Sequence, residues 1–354
     1  MPSEDVKVSP ASSASARIIA AGIVIAFCYW ASSVLVTLLV AVLLAYFLDP
    51  VVNWLESLHV PRGLGALVVV LLTILALFVA GYALVVRVDQ FGADWDSYRK
   101  PLRAAVDAIS KKAASVEAHV SEIAPTPKTG KESQVVAVTE THMVRDAILS
   151  KLSSLSEILL SAAFVPFLVF FMLAAKRQVW HATMQLFPST QRTAVKQTLS
   201  DVSQVLRSYV VGTALVGVVL VGVSWAVFWA FGLDFPFLVA LVSGLCNLIP
   251  YFGVILSWLP PLLVGLRKFH SAGRFLEIFL ILTIIHLFAA NFLVPSLVGW
   301  RVRLNALAIT LALMFWGFMW GGMGLILAIP ITAVIKVICD HVESLQPVGR
   351  WLSA

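Results

Sequence analysis

Residues 209–231 read YVVGTALVGVVLVGVSWAVFWAF, a run of 23 positions without one charged side chain. A helix of that length extends about 34 Å, enough to cross a hydrocarbon core of about 30 Å. The pattern recurs. Residues 18–48, 64–86, 158–175, 237–266, 278–298 and 304–335 also contain no Asp, Glu, Lys or Arg. Buried helices of soluble domains do not repeat at such lengths, so the fold class is an all-α, polytopic membrane protein. Composition agrees: 60% of the 354 residues are hydrophobic, 12% are charged, and mean hydropathy is +0.94. A soluble domain is nearer ~45–50% apolar and ~25% charged.

The net charge of +6 and pI of about 9.3 suit topology against an anionic cytoplasmic face. With no basic run of four or more, a nucleic-acid partner is not expected. Cys28, Cys246 and Cys339 form no CxxC and number three, so neither a disulfide framework, a metal site nor a cofactor is expected. Residues 1–17 read as a polar, disordered tail. The apolar stretch behind it runs to Leu48, too long for the ~7–15-residue core of a secretory signal, and is read as a retained membrane segment.

Residues 18–86 hold the N-terminal membrane helices. The aromatic and serine cluster Tyr29-Trp30-Ala31-Ser32-Ser33 divides 18–48 into two short helices, and Asp49-Pro50 is expected to end the second. Residues 87–157 are the long polar stretch, with ten basic and ten acidic residues. There Leu102, Val106, Ile109, Ala113, Val116, Val120 and Ile123 alternate spacings of four and three, which predicts an amphipathic helix with an a/d seam. Pro125-Thr126-Pro127 breaks it, and Val144, Ile148, Leu152 and Leu155 start a second helix. The expectation is an extramembrane helical hairpin whose seam packs in a homo-oligomer or on its own second helix.

Residues 158–339 form the core. Within it 176–208 is an amphipathic helix with five basic residues against Asp201, capped by Ser189 or Thr190, and its charge places it in the cytoplasm. Arg267, Lys268 and Arg274 mark a second cytoplasmic loop. Both termini then fall inside and the hairpin outside. A tail, 340–354, closes the sequence. The total comes to about eight membrane segments.

Two of those segments are broken or re-entrant. One contains Asn247-Leu248-Ile249-Pro250-Tyr251-Phe252-Gly253; the other contains Gly317 through Gly324 and then Pro330. Proline removes a donor and glycine weakens the helix, so backbone groups are freed at membrane depth. Such groups persist only beside protein or a watery cavity, and paired interruptions in two halves point to a transporter's binding region. Polar residues gather there too: Asn247, His286, Asn291, Arg301, Arg303 and Asn305. The candidate substrate path is therefore Asn247, Pro250, Tyr251 and Gly253 at the first break, then His286, Asn291 and Pro295. Arg303, Asn305, Gly321, Gly322, Gly324 and Pro330 follow at the second. Asparagine can bind a hydroxylated solute or an ion, and histidine changes charge near neutral pH, so His286 could carry a proton. The alternatives are helix–helix glue for the asparagines and kinks with close packing for the breaks.

These stretches resemble the autoinducer-2 exporter-like permeases. Residues 247–253 are similar to that family's Ile-Pro-Tyr-x-Gly signature, and Asn291, Pro295 and Gly299 to its Asn-x-x-x-Pro-x-x-x-Gly. Gly321 to Pro330 with Lys336, Asp49-Pro50 and Pro188 match further positions in order. Val254 and Ala306 stand where the family often has proline. The resemblance implies an oligomeric transporter of the bacterial cytoplasmic membrane, some relatives exporting signal molecules and others exchanging sodium for protons. A small polar solute, with Na+ or H+, is the expected cargo, and an enzyme is not expected. A Ser243–His286 hydrolase lacks the GxSG context, no GxxxxGK phosphate loop exists, and a non-transporting scaffold remains the structural rival.

Overall fold

The computed structural model describes residues 10–93, 110–111, 152–247, 249, 252–269, 271–298 and 304–353. Every regular element among them is helical: α1 (Pro10–Trp30), α2 (Ser32–Ser57), α3 (Arg62–Ala93), α4 (Leu152–Ala174), α5 (Lys176–Gln185), α6 (Arg192–Ala230), α7 (Pro236–Cys246), α8 (Phe252–Lys268) and α9 (Ala272–Phe288). A π turn (Ala289–Leu293) leads into α10 (Val294–Leu297), followed by α11 (Ala306–His341) and α12 (Gln346–Leu352). The seam from Leu102 to Ile123 lies outside the described residues.

Among the described residues five helices, with α11 taken as one element, are long and apolar enough to cross a bilayer, or six if the α4–α5 pair, bent by 70°, counts as one. That is fewer than the eight expected. The reason is length: the apolar part of α1 (Ile18–Trp30) and α7 (Pro236–Cys246) extend only about 20 Å and 16 Å. Neither matches a core of about 30 Å. The joint between α1 and α2 is the single residue Ala31. Helix α1 begins at Pro10, inside the stretch read as a disordered tail.

Asp49-Pro50 does not end α2, which continues to Ser57. Its buried face, Ala41, Ala45, Leu48 and Val52, keeps helical spacing across the proline and packs on Ala66, Val69 and Val70 of α3 and on Val169 and Leu173 of α4. Three alanines in this contact let the backbones approach closely. That packing outweighs the bond Pro50 cannot donate. The amphipathic stretch is also redrawn: α5 is a short helix, and α6 starts at Arg192 and runs on through the apolar span as one rod of 39 residues.

The chain forms two compact units. One comprises Met1–Leu72, Ser161–Gly212 and Leu297–Ala354; the other comprises Thr73–Leu160 and Thr213–Ser296. In the second unit Phe228, Leu233, Val239, Ala240, Val264, Ile278 and Leu282 make the core, joining α6 through α9. In the first unit α11 is not a single rod. At Gly321 the backbone takes φ 60°, ψ −138°, a conformation reserved for glycine. Beyond it the chain reverses. Ala312 and Leu313 pack on Ala328, Ala308 packs in one cluster with Ala333, and Gly317 faces Leu325. The 36-residue element is thus an antiparallel hairpin with arms 306–320 and 322–341. The first arm extends only about 22 Å, so it is a re-entrant segment rather than a full span.

Candidate functional site

The first break, in the second unit, is a tight reversal between α7 and α8. Asn247 closes α7, and a Cβ at Gly253 would stand 2.5 Å from the Cys246 carbonyl oxygen and 2.6 Å from the Asn247 Cα. Only glycine lets the two arms meet so closely. Pro250 and Tyr251 lie outside the described residues. Asn247 is half-buried, and its side chain makes no hydrogen bond with another described residue.

His286, on α9, is 6% exposed. Its Nδ1 lies 2.8 Å from the Leu282 carbonyl oxygen, and its Nε2 lies 3.1 Å from Ser257 Oγ on α8. Ser257 is fully buried, and its Oγ is also 2.7 Å from the Val254 carbonyl oxygen. The serine beside His286 is therefore Ser257, not the Ser243 of the hydrolase alternative. Ser243 is buried on α7, and neither its Oγ nor Trp258 Nε1 finds a partner among the described residues. Buried polar atoms left so cost about 1–3 kcal/mol each and call for a specific explanation.

One turn beyond His286 the helix widens. Pro295 cannot donate to the Asn291 carbonyl, and Val294 N–H bonds back five residues to the Ala289 carbonyl. Such π turns often mark functional positions. Asn291, within the turn, is exposed, and its Nδ2 donates to the Leu287 carbonyl (2.7 Å). Asn247, His286 and Asn291 thus share one unit, but no hydrogen bond joins any two of them.

The second break lies in the first unit. Gly324 abuts the Trp316 carbonyl, and a Cβ there would overlap it. Gly322 faces open space. Pro330 is buried and lines an apolar cleft with Leu39, Val42, Val202, Leu206 and Ile331. Arg303 lies outside the described residues. Asn305 has a defined position: its Oδ1 accepts from Ala308 N–H (2.7 Å), capping α11. Its Nδ2 donates to the carbonyls of Trp351 (2.6 Å) and Ser353 (3.2 Å), and its N–H to Leu352 O (3.0 Å). The tail, expected as a plain terminus, folds back as α12 and buries Leu352 beside Leu304. Asn305→Ala is expected to cost about 1–2 kcal/mol, the range for a lost cap. Faster amide exchange across 346–352 would show that α12 is released with it.

One charged cluster escaped sequence reasoning. Asp49, with its side chain 5% exposed, accepts from Arg62 Nη2 (2.8 Å) and Lys176 Nζ (2.8 Å). Asn53 Nδ2 adds a third bond (3.1 Å). Arg62 also reaches Glu56 (2.9 Å), Asn53 Oδ1 (2.9 Å) and the Leu173 carbonyl (2.8 Å), and Arg177 pairs with Glu56 (2.7 Å). The cluster ties α2 to α3 and to the α4–α5 bend. Among the described residues no group of three or more His, Cys, Asp or Glu is placed to hold a metal.

Comparison with known proteins decides what this architecture belongs to. The profile described as AI-2E family transporter matches residues 18–344. The chain belongs to the AI-2E transporter family. YrrI of Bacillus subtilis, named as a candidate transport protein, is 29% identical over 315 residues, covering 87% of this chain and 86% of that protein. TqsA of Escherichia coli, named an AI-2 transport protein, is 24% identical over 328 residues, covering 92% and 90%. YhhT of Escherichia coli, another candidate transport protein, is 24% identical over 321 residues, covering 89% and 86%. The AI-2E family match spans both units, including both breaks. This AI-2E chain is a multi-pass membrane transporter.

Proposed function

We propose that this transporter exports a small polar solute of the autoinducer-2 type across the bacterial cytoplasmic membrane. Coupling is to H+ or Na+, and the working form is a homo-oligomer. The observation that carries the reading is His286, a titratable side chain buried within the run 278–298, which has no Asp, Glu, Lys or Arg, and already hydrogen-bonded at both ring nitrogens. Ionisable groups within membrane-spanning helices are costly, and by default they point to a substrate path or a proton relay. The two glycine-pinched reversals support the same reading, because interrupted helices expose backbone dipoles to a solute. Asn247, His286 and Asn291 line the path, with the break at Gly253 in the same unit supplying backbone groups. The printed name of TqsA supports autoinducer-2 as the first cargo to try.

The test is efflux of autoinducer-2 from proteoliposomes under an imposed pH gradient. Asn247→Leu, His286→Leu and Asn291→Leu are each expected to lower the rate roughly tenfold, the change that about 1.4 kcal/mol commands. Protein amount and oligomer size should be unaltered. His286→Leu should also flatten the dependence on pH. Parental rates in all three variants would move the path elsewhere. The buried imidazole equally suits sodium–proton antiport, and a proton flux that follows a sodium jump without autoinducer-2 would select that reading. Absence of every flux would favour a scaffold.

A further inference from the structure

The geometry around His286 points to Ser257 as its proton partner: we propose that the Ser257 hydroxyl reverses direction as the buried imidazole gains and loses a proton. The argument is a count of donors and acceptors. The Leu282 carbonyl can only accept, so at 2.8 Å from it Nδ1 carries the N–H. In the neutral ring Nε2 then holds a lone pair, and the Ser257 hydroxyl donates to it across 3.1 Å. When a proton from water binds Nε2, the ring becomes a double donor. Nε2–H now donates to Ser257 Oγ, and the hydroxyl turns to donate to the Val254 carbonyl, 2.7 Å away. No heavy atom moves and no donor is left unpaired in either state.

That property is uncommon in a buried site. Adding a charge to an interior group normally strands a donor or leaves the charge without a compensating dipole. Here the Leu282 carbonyl faces the ring in both states, and the Val254 carbonyl holds the hydroxyl so that its oxygen lone pairs face the charged ring. Among the described residues no other titratable side chain takes over this role. On the stretch of α6 in this unit, 213–230, and on the π turn there is none. Helix α7 carries Cys246 alone. On α8, Arg267 and Lys268 stand about 15 Å along the helix from Ser257, Arg267 within 3.8 Å of Asp234 and Lys268 on the Gly232 carbonyl. On α9, Arg274 and Glu277 pair with each other at 3.4 Å, two turns or more from the ring.

Ser257 is a positioning residue, acting through the imidazole. The inference rests on the transport reading only for its purpose, and the proton site is tested without transport. The experiment is nitrogen NMR of histidine-labelled protein in lipid nanodiscs, the His286 ring being assigned by its loss in His286→Gln. The parent should show a neutral ring protonated at Nδ1 and, as the pH falls, a doubly protonated ring. At the pH where the parent holds the two forms equally, Ser257→Ala should hold about tenfold less of the charged form, because Nε2–H has lost its acceptor. Ser257→Thr, which keeps the hydroxyl, should restore it. A neutral ring protonated at Nε2 overturns the proposal, as does a Ser257→Ala protein that gains its second proton like the parent. If nanodiscs give the expected spectra while proteoliposomes move no solute or ion, the proton site stands and the transport reading falls.

Discussion

Gly324→Ala is expected to lower the melting stability by about 3 kcal/mol and to remove nearly all transport. The added methyl would overlap the Trp316 carbonyl oxygen, a backbone atom in the facing arm that cannot rotate away. Relief requires the arms to separate, and overpacking of this kind costs about 1–3 kcal/mol or more. The same shift is roughly a hundredfold in any equilibrium that needs the closed hairpin. A graded series makes the cause readable. At Gly321 there is room for a methyl, but φ is 60°, so Gly321→Ala should cost about 1–3 kcal/mol through backbone strain alone. At Gly322 nothing lies within 4 Å of an added Cβ, and the substitution should stay within about 0.5 kcal/mol. Thermal unfolding of the three variants in one detergent checks the order. A Gly324→Ala protein as stable as Gly322→Ala would mean that residues 306–341 do not fold back on themselves.

The second large effect is expected at Asp49. Asp49→Leu leaves Arg62, with its side chain only 12% exposed, short of its strongest acceptor. Stripping one partner from a buried charge pair costs about 3–5 kcal/mol, and the remaining bonds to Glu56 and the Leu173 carbonyl place this case near 3 kcal/mol. Lys176→Met should cost about 1 kcal/mol or less, because that side chain is 46% exposed and its charge is largely screened. The double variant should cost less than the two single losses added together, since each residue addresses the same carboxylate. Strict additivity in denaturant titrations would show that Lys176 and Asp49 do not interact in the folded protein.

The two breaks were legible because proline and glycine act through local backbone chemistry, which a single sequence displays. What each break does to the chain was less so. Nothing local says that Gly324 faces Trp316, or that residues 306–341 form a hairpin instead of a kinked span; that is fixed by the packing of Ala312, Leu313 and Ala328. His286 stood out as a lone ionisable group in an apolar run. Ser257 did not, because serine in a membrane helix commonly bonds its own preceding turn, and only the approach of α9 gives it a second partner. The Asp49 cluster was hidden for two reasons. Asp49 and its partner Lys176 are separated by 127 residues, and the proline after Asp49 argued for a helix end where packing keeps the helix going. Asn305 was read as a polar residue in search of a solute, whereas its carboxamide bonds to the backbone at the start of α11 and at the end of α12.

That last arrangement sets an order of assembly. Translation delivers residues 306–341 before residues 346–353, so the carboxamide of Asn305 meets its acceptors only after the whole hairpin has been made. Until then Leu304 has no Leu352 to cover it, and the foot of the re-entrant segment stays ajar. Closure of the foot of α11 is thereby tied to the synthesis of residues 346–353, and a polypeptide cut short before Trp351 is expected to be cleaved near Leu304 sooner than one that carries α12.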